Sequence, residues 1–165
     1  MSDYQLASFT ADVTCPLGSR CMGILPTKAK EIVDPLYAHG FVLLGTGEPI
    51  VLVSVDWCEI RNDAYDRWRE VLAAAAGTKP ERVIVSSIHQ HDAPVADIGA
   101  ENWLARVGLA GEMLDVRWHE EVLQRMASAT RCTTSSCQRT LSISPASPTR
   151  ASQFSAPMSA TGASC

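Results

Sequence analysis

Apolar and polar residues alternate from Phe9 to Val13, the period of a half-buried strand, and Cys15-Pro16-Leu17-Gly18 then marks a turn. Residues 19–33 show no period and read as a loop carrying Gly23 and Pro26. A strand is expected from Pro35 to Leu44 and another from Ile50 to Asp56. The short Gly45-Thr46-Gly47-Glu48-Pro49 segment between them predicts an antiparallel hairpin. The second run is apolar almost throughout, as in a strand buried on both faces. Tyr65, Trp68, Leu72 and Ala75 or Ala76 then recur at helical spacing. They predict a helix from Asp63 to Ala76, with Asn62 as N-cap, Gly77 as stop and Pro80 beyond it. A strand follows over residues 82–88. Strand, helix and strand within residues 50–88 make a βαβ unit, so its two strands run parallel. A second helix is expected from Val116 to Ala127, capped by Asp115, with Val116, Leu123 and Met126 on one face. No repeat is visible. The fold class is therefore α/β: a mixed sheet with an N-terminal hairpin and a parallel βαβ unit, followed by a disordered tail.

Composition divides the chain at the end of that second helix. All 18 acidic residues lie at or before Glu121, where ten basic side chains accompany them for a net charge of −8. Beyond Gln124 the only charges are Arg125, Arg131, Arg139 and Arg150. Residues 128–165 are dominated by Ser, Thr, Ala, Pro, Arg and Cys, with too few large apolar side chains to offset the entropy of ordering the backbone. Residues 1–127 are thus expected to fold and 128–165 to be disordered. A tail with Arg but no Lys, Asp or Glu fits a shifted reading frame better than a flexible extension.

Three of the six cysteines lie in that tail, and Cys15, Cys21 and Cys58 leave an odd count with no C-x-x-C pair. Met-Ser-Asp-Tyr-Gln-Leu does not open a secretory signal, and no run approaches the 18 apolar residues of a membrane span. These features predict a reduced, cytoplasmic chain without a membrane span. The acidity of residues 1–121 argues against a nucleic-acid partner.

Chemistry concentrates at His89-Gln90-His91, where the second parallel strand runs out. Residues i and i+2 face the same way on a strand, so both imidazoles can reach toward one ion, and imidazole suits zinc, iron, copper or nickel. Ligands in open parallel sheets bind beyond the carboxyl ends of the strands, and Asp56 ends the neighbouring strand on the same rim. Asp56 is expected to act as a cap or turn residue, Cys58 as inert filling and His119 as a packed helix residue. His39 lies within a strand, with no partner visible in the sequence.

The metallo-β-lactamase signature H-x-H-x-D-H shares the two histidines, but Ala93 and Pro94 stand where its Asp and second-half His belong. Another pattern fits further. Ser87-Ile88-His89-Gln90-His91-Asp92-Ala93-Pro94 resembles the A-T-H-T-H-S-G-P segment of neutral/alkaline, non-lysosomal ceramidases and their bacterial relatives. Phe9 to Gly18 resembles the family's D-I-T-P-P-x-G segment, Val33 to Ala38 its H-D-P-L-Y-A segment, and Val51 to Asp56 its A-L-V-S-L-D strand. Gln90, Asp92 and Ala93 depart from T, S and G. The four segments occur in family order.

The resemblance implies a zinc-dependent hydrolase of N-acyl amides acting on a ceramide-like substrate. It makes His89 a zinc ligand and His91 the residue beside the reacting amide. The family's remaining ligands, a second His, a Glu and a Tyr, have no matching segment in this chain. The expectation is a truncated catalytic domain with weak zinc binding and negligible turnover. The alternative is a small non-enzymatic α/β binding or scaffold domain in which the H-x-H is incidental.

Overall fold

A computed structural model describes residues 4–22 and 27–135. Four strands form one sheet in the order β1, β2, β3, β5: β1 is Gln5–Asp12, β2 Tyr37–Leu44, β3 Ile50–Val55 and β5 Val83–Ser87. The first three run antiparallel in sequence, while β3 and β5 are parallel, with Val51 opposite Val83 and Val55 opposite Ser87. The mixed α/β class, the hairpin and the βαβ unit are all present. The β5 strand begins one residue late, because Pro80–Arg82 form a 3-10 turn.

Helix α1 (Asn62–Ala76) crosses from β3 to β5, and α3 (Val116–Ser135) packs on α1 and on β1. Both cover one face of the sheet, into which Phe9, Val42, Val51, Val53, Val55 and Val85 point. The other face is only partly covered among the described residues. Alternate β3 positions Ile50, Leu52 and Ser54 are half-buried, and Ile84 of β5 is exposed. The expectation that β3 is buried on both faces is therefore corrected. Gly40 sits under the Phe9 ring, where a Cβ would lie 2.5 Å from Phe9 Cζ and 2.9 Å from the Leu52 carbonyl oxygen. Any side chain there would displace the aromatic ring from the core.

The predicted stop at Gly77 is observed: its φ of 69° is left-handed, and its N–H donates to the Ala73 carbonyl. The predicted cap is not. Arg61 occupies the N-cap position without a side-chain cap bond, while Asn62, at φ 47°, donates its amide to Asp97 Oδ2. Asp97 caps a helix with no clear signal in the sequence, α2 (Ile98–Arg106), by accepting from the Ala100 N–H at 2.9 Å. Buried Glu101 of α2 accepts backbone N–H bonds from Gly111, Met113 and Leu114, which fixes the following loop.

Helix α3 runs to Ser135, eight residues beyond the expected end. Thr130 is fully buried, so this stretch belongs to the folded unit and not to a disordered tail. The rest of the predicted tail, residues 136–165, lies outside the described residues. Two short parallel strands, β4 (Glu59–Ile60) and β6 (Val95–Ala96), complete the fold and tie the exits of β3 and β5 together.

The centre of the core is aromatic. Trp57 packs edge-on against Trp68, with ring centroids 5.4 Å apart, and lies 5.2 Å from Trp118. Its indole N–H donates to the Val13 carbonyl, and that of Trp68 to His119 Nε2 at 3.1 Å. Arg67 of α1 makes a two-pronged bond to Glu120 of α3 beside this cluster. The guanidinium holds the Glu120 carboxyl below the ordinary carboxylate range, against an opposing effect of burial.

Candidate metal centre

The parallel pairing of β3 and β5 delivers residues 56–59 and 88–94 to the same rim of the sheet. Backbone bonds hold the two segments in register. The Ile88 N–H donates to the Val55 carbonyl at 3.1 Å, the Cys58 N–H to the Pro94 carbonyl at 3.0 Å, and the Arg61 N–H to the Ala96 carbonyl at 2.9 Å. The loop carrying His89, Gln90 and His91 is therefore clamped at both ends. Inside it, the Gln90 side chain accepts from the Asp92 N–H and closes a local turn.

The two histidines come together, but not by strand alternation. The β5 strand ends at Ser87, and His89 adopts φ 63°, a left-handed conformation uncommon outside Gly, Asn, Asp and His. That reversal, together with the Gln90 turn, brings the His91 ring to 5.0 Å from the His89 ring, edge to face. Both side chains are exposed.

His89 faces the exit of β3. Its Nδ1 lies 3.8 Å from Cys58 Sγ, 3.3 Å from the Cys58 carbonyl oxygen and 3.6 Å from Glu59 Oε1. One ligand atom each from Cys58, Glu59 and His89 falls within 4.8 Å of the others. Thiolate, carboxylate and imidazole are the donor types that bind zinc, so the residues present fit a cation of that class. Cys58 is 2 % exposed, and burial pushes its thiol above the ordinary range. Among the described residues Glu59 Oε2 is buried without a hydrogen-bond partner, although the Arg61 guanidinium lies against it as an ion pair.

The remaining expected residues divide. Asp56 takes the turn role: its Oδ2 accepts from the Tyr37 N–H at 2.8 Å, and its own N–H returns a bond to the Tyr37 carbonyl. His119 is a packed core residue. His39 has a partner after all, the Thr10 hydroxyl 3.0 Å from its Nδ1 on the adjacent strand. Cys58 is buried, as filling would be, and its Sγ faces His89 Nδ1 at 3.8 Å. Glu59 was missed; its one sequence cue is its place three residues past Asp56, at the same strand exit.

No family model matches the chain. No curated protein matches it either. Among solved structures, the chain is similar to the neutral ceramidase from Pseudomonas aeruginosa, at 17% identity and a TM-score of 0.58. It is similar also to a ceramidase complexed with C2, at 16% identity and a TM-score of 0.56. The fold is ceramidase-like. Each comparison covers 82% of this chain and 22% of the other, so the ceramidase-like fold spans under a quarter of either matched structure. No helix among the described residues is long and apolar enough to cross a membrane.

Proposed function

We propose that the chain is a ceramidase-like unit of zinc-dependent N-acyl amide hydrolysis, with His89 a metal ligand and His91 beside the reacting amide of a ceramide-like lipid. One observation carries this reading: the two imidazoles converge at the carboxyl ends of parallel strands in a fold that neutral ceramidases share. A metal bound there would supply carbonyl polarisation and a water of lowered pKa. On this reading His91, its ring centroid 5.0 Å from that of His89 and its side chain exposed, would hydrogen-bond the amide.

The 165-residue chain is expected to turn over such amides negligibly by itself. Both histidines stand exposed on the rim, and the described residues build no wall around them that would exclude water. A groove of about 510 Å³ does exist, lined by Pro16, Arg20, Pro94, Glu101, Met113 and Trp118 among others, and neither histidine belongs to its lining.

The exposure of His89 and His91 also favours a second reading, a non-enzymatic α/β scaffold with an incidental H-x-H. Thermal unfolding of the metal-free chain separates the two. Zinc at about 100 times its dissociation constant should stabilise a specific binder by about 2.7 kcal/mol, and His89→Ala should lose that shift. An unshifted transition in the parent chain supports the scaffold instead. Measurable zinc-dependent cleavage of an N-acyl sphingoid amide would refute the expected lack of turnover.

A further inference from the structure

We propose that Cys58, Glu59 and His89 together form a three-ligand site for a zinc-class divalent cation, with the Cys58 thiolate as its sulfur ligand and a fourth position open to solvent. The assignment rests on the reading of His89 as a ligand and adds its partners. Cys58 and Glu59 lie outside all four segments that carry the ceramidase resemblance, so the site is a property of this chain's own residues.

Distances carry the argument first. At zinc–ligand lengths of about 2.3 Å for sulfur and about 2.0–2.1 Å for nitrogen and oxygen, tetrahedral coordination separates sulfur from nitrogen by roughly 3.6 Å, and nitrogen from oxygen by roughly 3.4 Å. The Cys58 Sγ to His89 Nδ1 separation is 3.8 Å, and Glu59 Oε1 lies 3.6 Å from the same nitrogen. Two of the three ligand pairs thus lie within a few tenths of an ångström of that geometry, and the third, Cys58 with Glu59, lies within 4.8 Å.

The scaffold holds all three residues in place. Cys58 is held by its backbone bond to Pro94, Glu59 by the pairing of β4 with β6, and His89 by the bond from Ile88 to Val55. The left-handed backbone at His89 turns its ring back over the β3 exit.

Ligand chemistry then selects the cation. A thiolate with an imidazole and one carboxylate favours zinc or cobalt over magnesium or calcium, which prefer oxygen shells. On binding, the Cys58 S–H bond gives up its proton to solvent, and the neutral His89 ring carries its hydrogen on Nε2, leaving the Nδ1 lone pair for the metal. Glu59 would bind through Oε1 while Oε2 stays against the Arg61 guanidinium, an outer partner of the kind that orients a ligating carboxylate. The His89 side chain is 60% exposed, so ions can enter from that side.

The test titrates the full metal-free chain, kept reduced, with cobalt(II) alone. Its near-ultraviolet sulfur-to-cobalt charge-transfer band and the intensity of its visible bands are followed, and zinc then displaces it. One equivalent should bind with the charge-transfer band present. Cys58→Ser should remove the band, the other thiols remaining as an internal control. The near-isosteric Glu59→Gln should keep the band and weaken binding at least tenfold, since even outer-shell changes cost about 10–100-fold. Cobalt bound without the band, or Cys58→Ser titrating like the parent, overturns the assignment. If His89→Ala still abolishes binding in that case, His89 remains a ligand and only the partners assigned to it fail. If His89→Ala has no effect, the reading of His89 falls, and the three-ligand site with it.

Discussion

His119 lies in the most enclosed part of the molecule and His89 on its open rim, and their surroundings give one side chain two different tasks. His119 is completely buried against Trp57 and Trp68. Its Nε2 accepts from the Trp68 indole, so the neutral ring carries its hydrogen on Nδ1, a buried atom without a partner among the described residues. Burial holds its pKa down at about 4, with the Glu120 carboxylate opposing and the Arg67 guanidinium reinforcing the effect. A neutral ring locked between apolar walls is fit for packing. His89 instead meets a thiol, a carboxylate and a carbonyl oxygen at the edge of solvent. The two rings thus differ in the groups that the fold brings to them: an indole N–H for His119, a thiol and a carboxylate for His89.

The sharpest way to test this contrast is to remove the core side and leave the rim untouched. Trp68→Ala empties a fully buried indole site and takes away the only donor that His119 Nε2 has among the described residues. It should cost about 3–5 kcal/mol in urea unfolding. His91→Ala, exposed on the rim, should change stability by no more than about 0.5 kcal/mol. A loss at Trp68 comparable to that at His91 would mean that the aromatic cluster is not the structural centre.

Acid should strike the same core. The folded His119 pKa lies below its unfolded value of 6.5, so the unfolded chain takes up the proton first. Its stability contribution is complete above the unfolded pKa and is lost as pH falls from about 6.5 toward 4. The full effect is on the order of 3 kcal/mol. The Glu120 carboxyl, held below the ordinary carboxylate range by Arg67, adds its loss at still lower pH. His119→Gln should flatten the stability profile between pH 6.5 and 4, measured by urea midpoints across that range. An unchanged slope would show that another group carries it.

How much was legible follows from how local each signal is. The βαβ unit could be read because Ile50–Val55 is apolar but for Ser54 and Tyr65, Trp68 and Leu72 keep one helical period up to Gly77. Helix α2 was hidden because it does the opposite of an amphipathic pattern. It exposes Trp103 and buries the carboxylate of Glu101. The last turns of α3 were masked by their Ser/Thr content. There, hydroxyls donate back to carbonyls four residues earlier, Thr130 to Met126 and Thr134 to Thr130, so polar residues remain helical. In the candidate site the H-x-H was visible and its position on the rim could be argued. Its neighbours Cys58 and Glu59 could not, because the two-residue β4–β6 pairing and the left-handed turn at His89 depend on contacts some 30 residues apart in sequence.

The smallest expected effect separates stability from chemistry on the rim itself. At φ 63°, His89 bears a backbone cost of about 1 kcal/mol that glycine would not. Glycine also enlarges the freedom of the unfolded chain, which offsets part of that relief. With the side chain 60% exposed, little packing is lost. His89→Gly should therefore leave the metal-free chain within about 1 kcal/mol of the parent, on either side, while removing any zinc-dependent shift in its unfolding. The comparison with His119 then becomes quantitative: one histidine whose loss unsettles the fold, another whose loss the fold tolerates. Destabilisation of the metal-free chain by well over 1 kcal/mol would instead make His89 a structural residue, bound to the Cys58 carbonyl, and would erase the distinction.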